Sequence, residues 1–457
     1  MSDEQGFSRR ERQASFTLAG IFSTRMLGLF MIMPVFALYG QGLIGFSPLW
    51  VGIVIGVYGL TQAILQIPAG WLSDRIGRKP VIYGGLALFA LGSIVAALSD
   101  SVYGVAVGRV LQGSGAIASA ILALAADITR EENRTKAMGI IGVCIGISFA
   151  IAMVLGPVLA SAFGLSGVFW VTALLAVLAM AMVHFLLPSS VSRGQIRDVT
   201  AAPELFGRLL KDKQLLRLDF GILLLHMTLT AVFVAFPLTL LDAGLVAEHH
   251  WWLYLPTLLL SFVLIVPLLI IGARRNMNKQ IFQAAILVMM AALLLMAVGA
   301  GHIAVLALAM VLYFTAFNFM EASLPAFLSM LAPAGAKGTA MGIYSTSQFM
   351  GAFFGGILGG LLFEVVGGAG VFVLVALTMM VWFWVSLGMV NVSKVQSHIL
   401  PIGVNIEGSE QRIQLLQSLQ TLPGVREALI IPEEGAAYLK VDANIFELDQ
   451  AQRLINL

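Results

Sequence analysis

Long apolar runs alternate with short polar ones from residue 14 to about residue 394. Twelve of them are long enough to cross a bilayer core, which takes about 20 apolar residues as one helix. The predicted spans are 14–40, 47–72, 80–98, 102–128, 137–163, 166–188, 218–242, 250–272, 281–300, 303–330, 338–364 and 369–392. Ser47-Pro48 reads as a helix cap followed by a first-turn proline. Past Lys394 the pattern changes to soluble, amphiphilic elements. A strand is expected near 399–406, a helix over 411–422, strands over 426–432 and 436–441, and a helix over 446–457, with Pro423-Gly424 as a turn. This βαββα order predicts a small ferredoxin-like unit lacking a last strand. The predicted fold is an all-α membrane protein of twelve transmembrane helices in two six-helix repeats, with a small α+β C-terminal domain.

Positive charge fixes the orientation. Lys136 to Arg193, Arg217 to Arg274 and Lys337 to Lys394 each enclose 56 residues without lysine or arginine, and Lys279 to Lys337 encloses 57. Each interval holds two crossings and a turn. Cationic loops stay on the cytoplasmic side, so every hairpin returns there and both chain ends are expected in the cytoplasm. Residues 189–217 carry Arg193, Arg197, Arg208, Lys211, Lys213 and Arg217, and form the longest polar link. The expected division is 1–188, 189–217 as linker, 218–394, and 395–457 as the tail.

An internal repeat supports the two halves. Lys136-Ala137-Met138-Gly139-Ile140 matches Thr339-Ala340-Met341-Gly342-Ile343 in four of five positions, 203 residues apart, and Gly156 falls on Gly359. Parallel repeats of a transporter would behave so. Composition agrees. The chain is 59% hydrophobic and 11% charged, where soluble proteins carry about 25% charged residues. A net charge of +2, spent on membrane-side anchors, points to no nucleic-acid partner. The lone Cys144 excludes an internal disulfide framework and a cysteine metal cluster. Residues 1–13 hold Arg9, Arg10 and Arg12 before an apolar run too long for a signal peptide, so the first span is expected to stay in place.

The link between the second and third spans reads Gly70-Trp71-Leu72-Ser73-Asp74-Arg75-Ile76-Gly77-Arg78-Lys79-Pro80. Gly77 allows a tight turn, Asp74 can meet the positive end of a neighbouring helix, and Arg75, Arg78 and Lys79 can pair with acids or hold lipid head groups. A solvated positive-inside loop would need no more than this. The segment resembles the signature loop of the major facilitator superfamily, G-x-L-x-D-R-x-G-R-K. Arg109, Gln112, Gly113, Gly115 and Ala116 resemble that superfamily's fourth-helix pattern. Ala152, Gly156-Pro157 and Ala160 resemble the antiporter motif of its drug:proton antiporter families, with alanines in place of two glycines and Ser161 in place of the last. The resemblance covers residues 10–394. It implies a cell inner-membrane transporter whose two halves rock about a central cavity. It further implies that Asp74 docks on the eleventh helix to latch an outward-facing state, and that Asp127 pairs with Arg75 or Arg78.

Ionisable groups at membrane depth are expensive and functional by default. Those expected well inside the spans are Arg25, Arg109, His226 and Glu321, with Glu321 as the sole carboxylate. Their spans, the first, fourth, seventh and tenth, line the central cavity in this superfamily. Glu321 is the expected proton carrier, unless a permanent pair with an arginine occupies it. His226 is a second proton candidate or a hydrogen-bonded core histidine. The resemblance makes Arg109 a tuner of the protonation site. Arg25 can pair with Glu321, bind an anionic substrate group or brace its helix. Asn318 shares a face with Glu321. Tyr58 with Gln62, and Tyr344 with Gln348, repeat at i,i+4 on the second and eleventh spans, with Gln66 extending the first stripe. They are expected to line the substrate cavity, join the halves, or serve as helix-packing glue.

The expected function is proton-coupled export of small amphiphilic molecules by alternating access. An uptake transporter and a membrane sensor working through the tail are the alternatives. No enzymatic activity, cofactor or metal is expected. The tail resembles heavy-metal-associated domains through Leu422-Pro423-Gly424-Val425 and its element order, but Glu407–Arg412 holds neither Cys nor His where that family binds metal. Self-association or ligand sensing is expected of it instead.

Overall fold

The computed structural model describes residues 7–187, 206–207, 209–275, 277–333, 337–390, 395–402, 409–431, 436–442 and 445–455. Arg193, Arg197 and Arg208 of the predicted linker lie outside them. Among the described residues the helices before the tail include α1 (Arg9–Phe30), α2 (Phe36–Tyr39), α3 (Pro48–Ile76), α4 (Arg78–Ala97), α5 (Val102–Ser114), α6 (Ala118–Ile128), α7 (Glu131–Phe185), α8 (Lys213–Asp242), α9 (His250–Arg275), α10 (Asn278–Val298), α11 (Ile303–Leu331) and α12 (Lys337–Leu387). They are not the twelve predicted spans one for one.

Two predicted spans are broken and two predicted pairs are fused. The first span stops at Phe30 and resumes as α2, because Pro34 lacks an N–H and disfavours a helical residue before it. The fourth is interrupted between Ser114 and Ala118, where a side chain on Gly115 would strike the Gly85 carbonyl of α4. Conversely α7 and α12 run through two spans each. Each bends at one glycine of positive φ, Gly164 (φ 67°, ψ −176°) and Gly367 (φ 68°, ψ −177°). Glycine alone adopts this backbone without strain. Among the described residues, nine helical stretches are long and apolar enough to cross a membrane, counting α7 and α12 once each and α5 with α6 as one. The α1 helix is not among them, since its last 18 residues include Gln13, Arg25 and four Ser or Thr.

The two bends lie 203 residues apart, the interval of the sequence repeat, and have the same conformation. A pair of contacts also repeats, at an interval of 200 residues. Lys79 Nζ donates to the Leu187 carbonyl at 2.8 Å, and Lys279 Nζ donates to the Leu387 carbonyl at 3.0 Å. Each ties the start of one helix to the end of another at the cationic face.

The N-terminal and C-terminal helices meet along a seam between α3 and α12. Side chains added at Gly52, Gly56 and Gly59 would strike the backbones of Gly356, Phe353 and Phe349, and one at Gly360 would strike Pro48 and Leu49. Beyond the seam the Leu49 N–H donates to Glu364 at 3.1 Å. Phe149 of α7 stands edge-on to Phe314 of α11 at 5.9 Å. Toward the other end the helices part. A side chain added at Gly342 of α12, or at Gly139, Gly142 or Gly146 of α7, would meet nothing within 4 Å, and Ile67 of α3 is half exposed. The molecule is therefore closed at one end and open at the end bearing Arg78, Lys79, Arg130, Arg274 and Lys279.

The tail has the predicted order: β1 (Val395–Pro401), α13 (Ser409–Gln420), β2 (Val425–Ile431), β3 (Ala436–Asp442) and α14 (Leu448–Ile455). Its antiparallel sheet runs β1-β3-β2. Leu419, Ala437, Leu439, Val441 and Ala451 fill its core. The first strand starts at Val395 rather than near Ile399, and residues 403–406, predicted as strand, lie outside the described residues.

Candidate functional site

The loop between α3 and α4 is a staple for the cationic face. Gly77 (φ 103°) turns the chain from one helix into the next, and Gly70 lies against Ser119 of α6. Arg78 joins three partners. It pairs with Asp74, donates through Nη1 to Ser73 at 2.7 Å, and through Nε to Asp127 of α6 at 3.2 Å. Arg75 stacks its guanidinium 3.8 Å over the Trp71 ring. Of the two expected partners for Asp127, Arg78 is the one the structure brings to it. Asp74 turns to Arg78 in its own loop, and the docking on the eleventh span that is expected of it belongs to an outward-facing state.

In the C-terminal helices three groups from three helices converge at the inner end of the opening. The Gln348 side chain of α12 donates to Glu321 Oε1 of α11 at 3.2 Å and contacts His226 Nε2 of α8 at 2.9 Å. His226 Nε2 lies 3.9 Å from Glu321 Oε2. The Gln348 amide nitrogen has two N–H groups and can serve both neighbours. That arrangement requires a bare Nε2 on His226, so protonating the ring there would force the amide to turn over. The Glu321 side chain is 39% exposed, while His226 is 15% exposed. Asn318 bonds elsewhere, to Ser261 of α9 at 2.9 Å. Tyr344 is buried one turn from Gln348. Glu321 has no arginine partner among the described residues.

In the N-terminal helices the polar groups form a thread. Gln62 accepts from Arg25 Nη2 at 2.6 Å and donates to Gln66 at 2.6 Å. Arg109 donates to the Val54 carbonyl at 3.1 Å and to Gln112 at 2.8 Å, and Gln112 donates on to Ser93 at 2.8 Å. Both guanidinium groups lie over the Tyr58 ring, Arg25 at 5.7 Å and Arg109 at 4.9 Å. The i,i+4 stripe of Tyr58, Gln62 and Gln66 is thus buried as a lining for Arg25. The motif pair Gly156-Pro157 serves packing here. A side chain on Gly156 would strike the Met31 carbonyl and Pro34, the break between α1 and α2.

One buried carboxylate is not among the expected site residues. Asp219 lies on α8, inside the predicted seventh span, and is 7% exposed with Oδ1 unpartnered. Asp219 is thus a buried acid near the start of a span, and the expectation of Glu321 as the sole carboxylate well inside one is left as it stood. Asp219 stands one residue past the predicted start of its span, and position alone made it look interfacial.

Comparison with known proteins agrees with this architecture. The Major Facilitator Superfamily model matches residues 18–355, and the YajR YAM domain model matches residues 407–453. The chain is 46% identical to the inner membrane transport protein YajR of Escherichia coli (strain K12) over 447 residues, covering 97% of this chain and 98% of that protein. It is 28% identical to multidrug resistance protein 2 of Bacillus subtilis (strain 168), over 76% and 88% of the two chains. Among solved structures it superposes on a bacterial homologue of the human lysosomal transporter Spinster with a TM-score of 0.67, at 12% identity and over 84% and 97% of the two chains. The matched signature loop, the helical membrane body and the full-length likeness make one conclusion: this chain belongs to the major facilitator superfamily of membrane transporters.

Proposed function

We propose that this protein exports small amphiphilic molecules across the cell inner membrane in exchange for protons. It does so by rocking two six-helix halves, 1–188 and 218–394, across twelve crossings. The arms of α7 and α12 on either side of Gly164 and Gly367 count as separate crossings, and α1 with α2 supplies the first. Cationic ends in the cytoplasm make the present state inward-facing, with the linker and tail on the same side.

One observation carries the reading: a carboxylate, a histidine and a bridging amide from three helices meet at the inner end of the opening. In the outward state Glu321 takes a proton from the periplasm as substrate leaves. The protein turns inward, Glu321 releases the proton to the cytoplasm, and substrate binds. His226 and Gln348 hold Glu321 in place and register its charge. Arg109 and Arg25 bias the protonation site from the opposite half. Tyr344 and Asn318 border the same cavity. Asp74, released from α12, rests on Arg78 until the outward state reforms.

The test is proton flux in proteoliposomes under an imposed pH gradient, with a panel of neutral, anionic and cationic amphiphiles. Substrate-dependent flux is expected in the wild type and its loss in Glu321→Gln. Equal flux in that variant would remove Glu321 as the carrier. Uptake coupled to inward proton flow, rather than exchange, would reverse the direction.

A further inference from the structure

Arg25 and Arg109 are each 1% exposed, and neither has a carboxylate at ion-pair distance among the described residues. Buried ions normally have a counter-ion or a full set of hydrogen bonds. Arg109 approaches the second condition, with bonds from Nε and Nη1. Arg25 does not. Its Nε and Nη1 are buried and unpartnered, and so is the hydroxyl of Tyr58 between the two cations. Arginine has only donors, and a tyrosine hydroxyl can donate as well. Two positive charges thus lie over one ring, and three polar atoms around it have no acceptor among the described residues.

The group that suits these donors is an acceptor-rich anion, a carboxylate, sulfonate or phosphate, which a guanidinium holds through paired N–H bonds. A cationic group would place a third positive charge there. Gln62 occupies the one bonded position on Arg25, and its amide leads to Gln66, 6% exposed, on the face of α3 that continues toward the opening. Gln62 is a stopper that an entering anion can displace. We infer that Arg25, with Tyr58 and Arg109, is the subsite for an anionic group on the transported substrate, and that the preferred cargo is an organic anion. This rests on the transport reading above, and it makes the N-terminal half the cargo side and the C-terminal half the proton side.

The test uses three probes with one ring system: naphthalene-2-sulfonate, naphthalene-2-sulfonamide and trimethyl(naphthalen-2-yl)ammonium. Binding to the full chain in nanodiscs is measured by calorimetry, and flux separately in proteoliposomes. The sulfonate is expected to bind at least tenfold more tightly than either other probe. Arg25→Gln should bring the sulfonate-to-sulfonamide ratio close to one, Arg25→Lys should restore part of it, and Tyr58→Phe should lower it without removing the charge. Thermal unfolding of each variant checks that it is folded. Equal affinity for the three probes, preference for the ammonium, or a ratio unchanged in Arg25→Gln and Tyr58→Phe would overturn the subsite. Selective binding without flux would keep the subsite and remove the transport reading.

Discussion

Glu11 shows how one side chain can join the starts of two helices at one end of a bundle. It closes the capping box of α1 with Ser8 and also accepts from the backbone and guanidinium of Arg130, at 2.7 and 3.2 Å. It precedes the first predicted span. Burial opposes its ionisation, but the bonds from Arg130 and Ser8 prevail and hold its carboxyl down at about 2, from an ordinary value of 4.5. With a depressed value in the folded state, the unfolded chain takes up the proton first. The contribution is complete above about pH 4.5 and is lost as pH falls toward 2. Glu11→Gln should cost about 1–2 kcal/mol at pH 7, and the difference in thermal unfolding from wild type should shrink by pH 3. A difference that stays constant between those two pH values would contradict this account. At this scale the sequence was readable where spacing alone decides, as for Tyr58 and Gln62 at i,i+4. It was not readable for the partners of Arg25 and Glu321. Gln62 lies 37 residues from Arg25, and Gln348 lies 27 from Glu321, so only the packing of whole helices joins them.

Helices α3 and α12 approach so closely because glycines of each meet the backbone of the other along the seam. Gly356 faces the Gly52 carbonyl, and Gly52 faces that of Gly356. Gly356→Leu should wedge the seam apart and populate states open at that end. Spin labels at Ile44 and Val365, both largely exposed, should report a longer mean distance. Gly342→Leu, on the same helix where an added side chain meets open space, should leave it unchanged. If both variants gave the wild-type distance, the seam would not be a steric gate. The glycine stripe announced a close helix approach, but the identity of the neighbour depends on residues far apart in sequence, such as Gly52 and Gly356, 304 positions apart. Element boundaries failed where a single residue decides them. One glycine at 164 or 367 replaces a loop, and one proline at 34 ends a helix that the apolar pattern would have continued.

Across the whole molecule the two ends are built from different forces. The cationic end is held by Arg78 with Asp74 and Asp127, by Glu11 with Arg130, and by two lysine–carbonyl ties. Asp74→Asn should weaken the proposed outward latch while leaving the Arg78–Asp127 pair. A loss of about 1.4 kcal/mol would shift the ratio of states tenfold toward the inward form, seen as a longer distance between labels on the cationic ends of α6 and α11. An unaltered distance distribution would sink the latch. The twofold plan was legible here, since a 203-residue interval in sequence returned as two matching glycine bends. The proposed division of labour between the halves was not, because it is argued from which polar groups lack partners after folding.

The glycine seam has a consequence for where this transporter can work. Mobile ions screen exposed charges within about 10 Å at 0.1 M salt, but they have little hold on a contact made of backbone and glycine. The outer closure should therefore keep its strength in brine or in fresh water, whatever bathes the cell. In the proposed orientation the charged face meets the cytosol, whose salt content the cell itself controls.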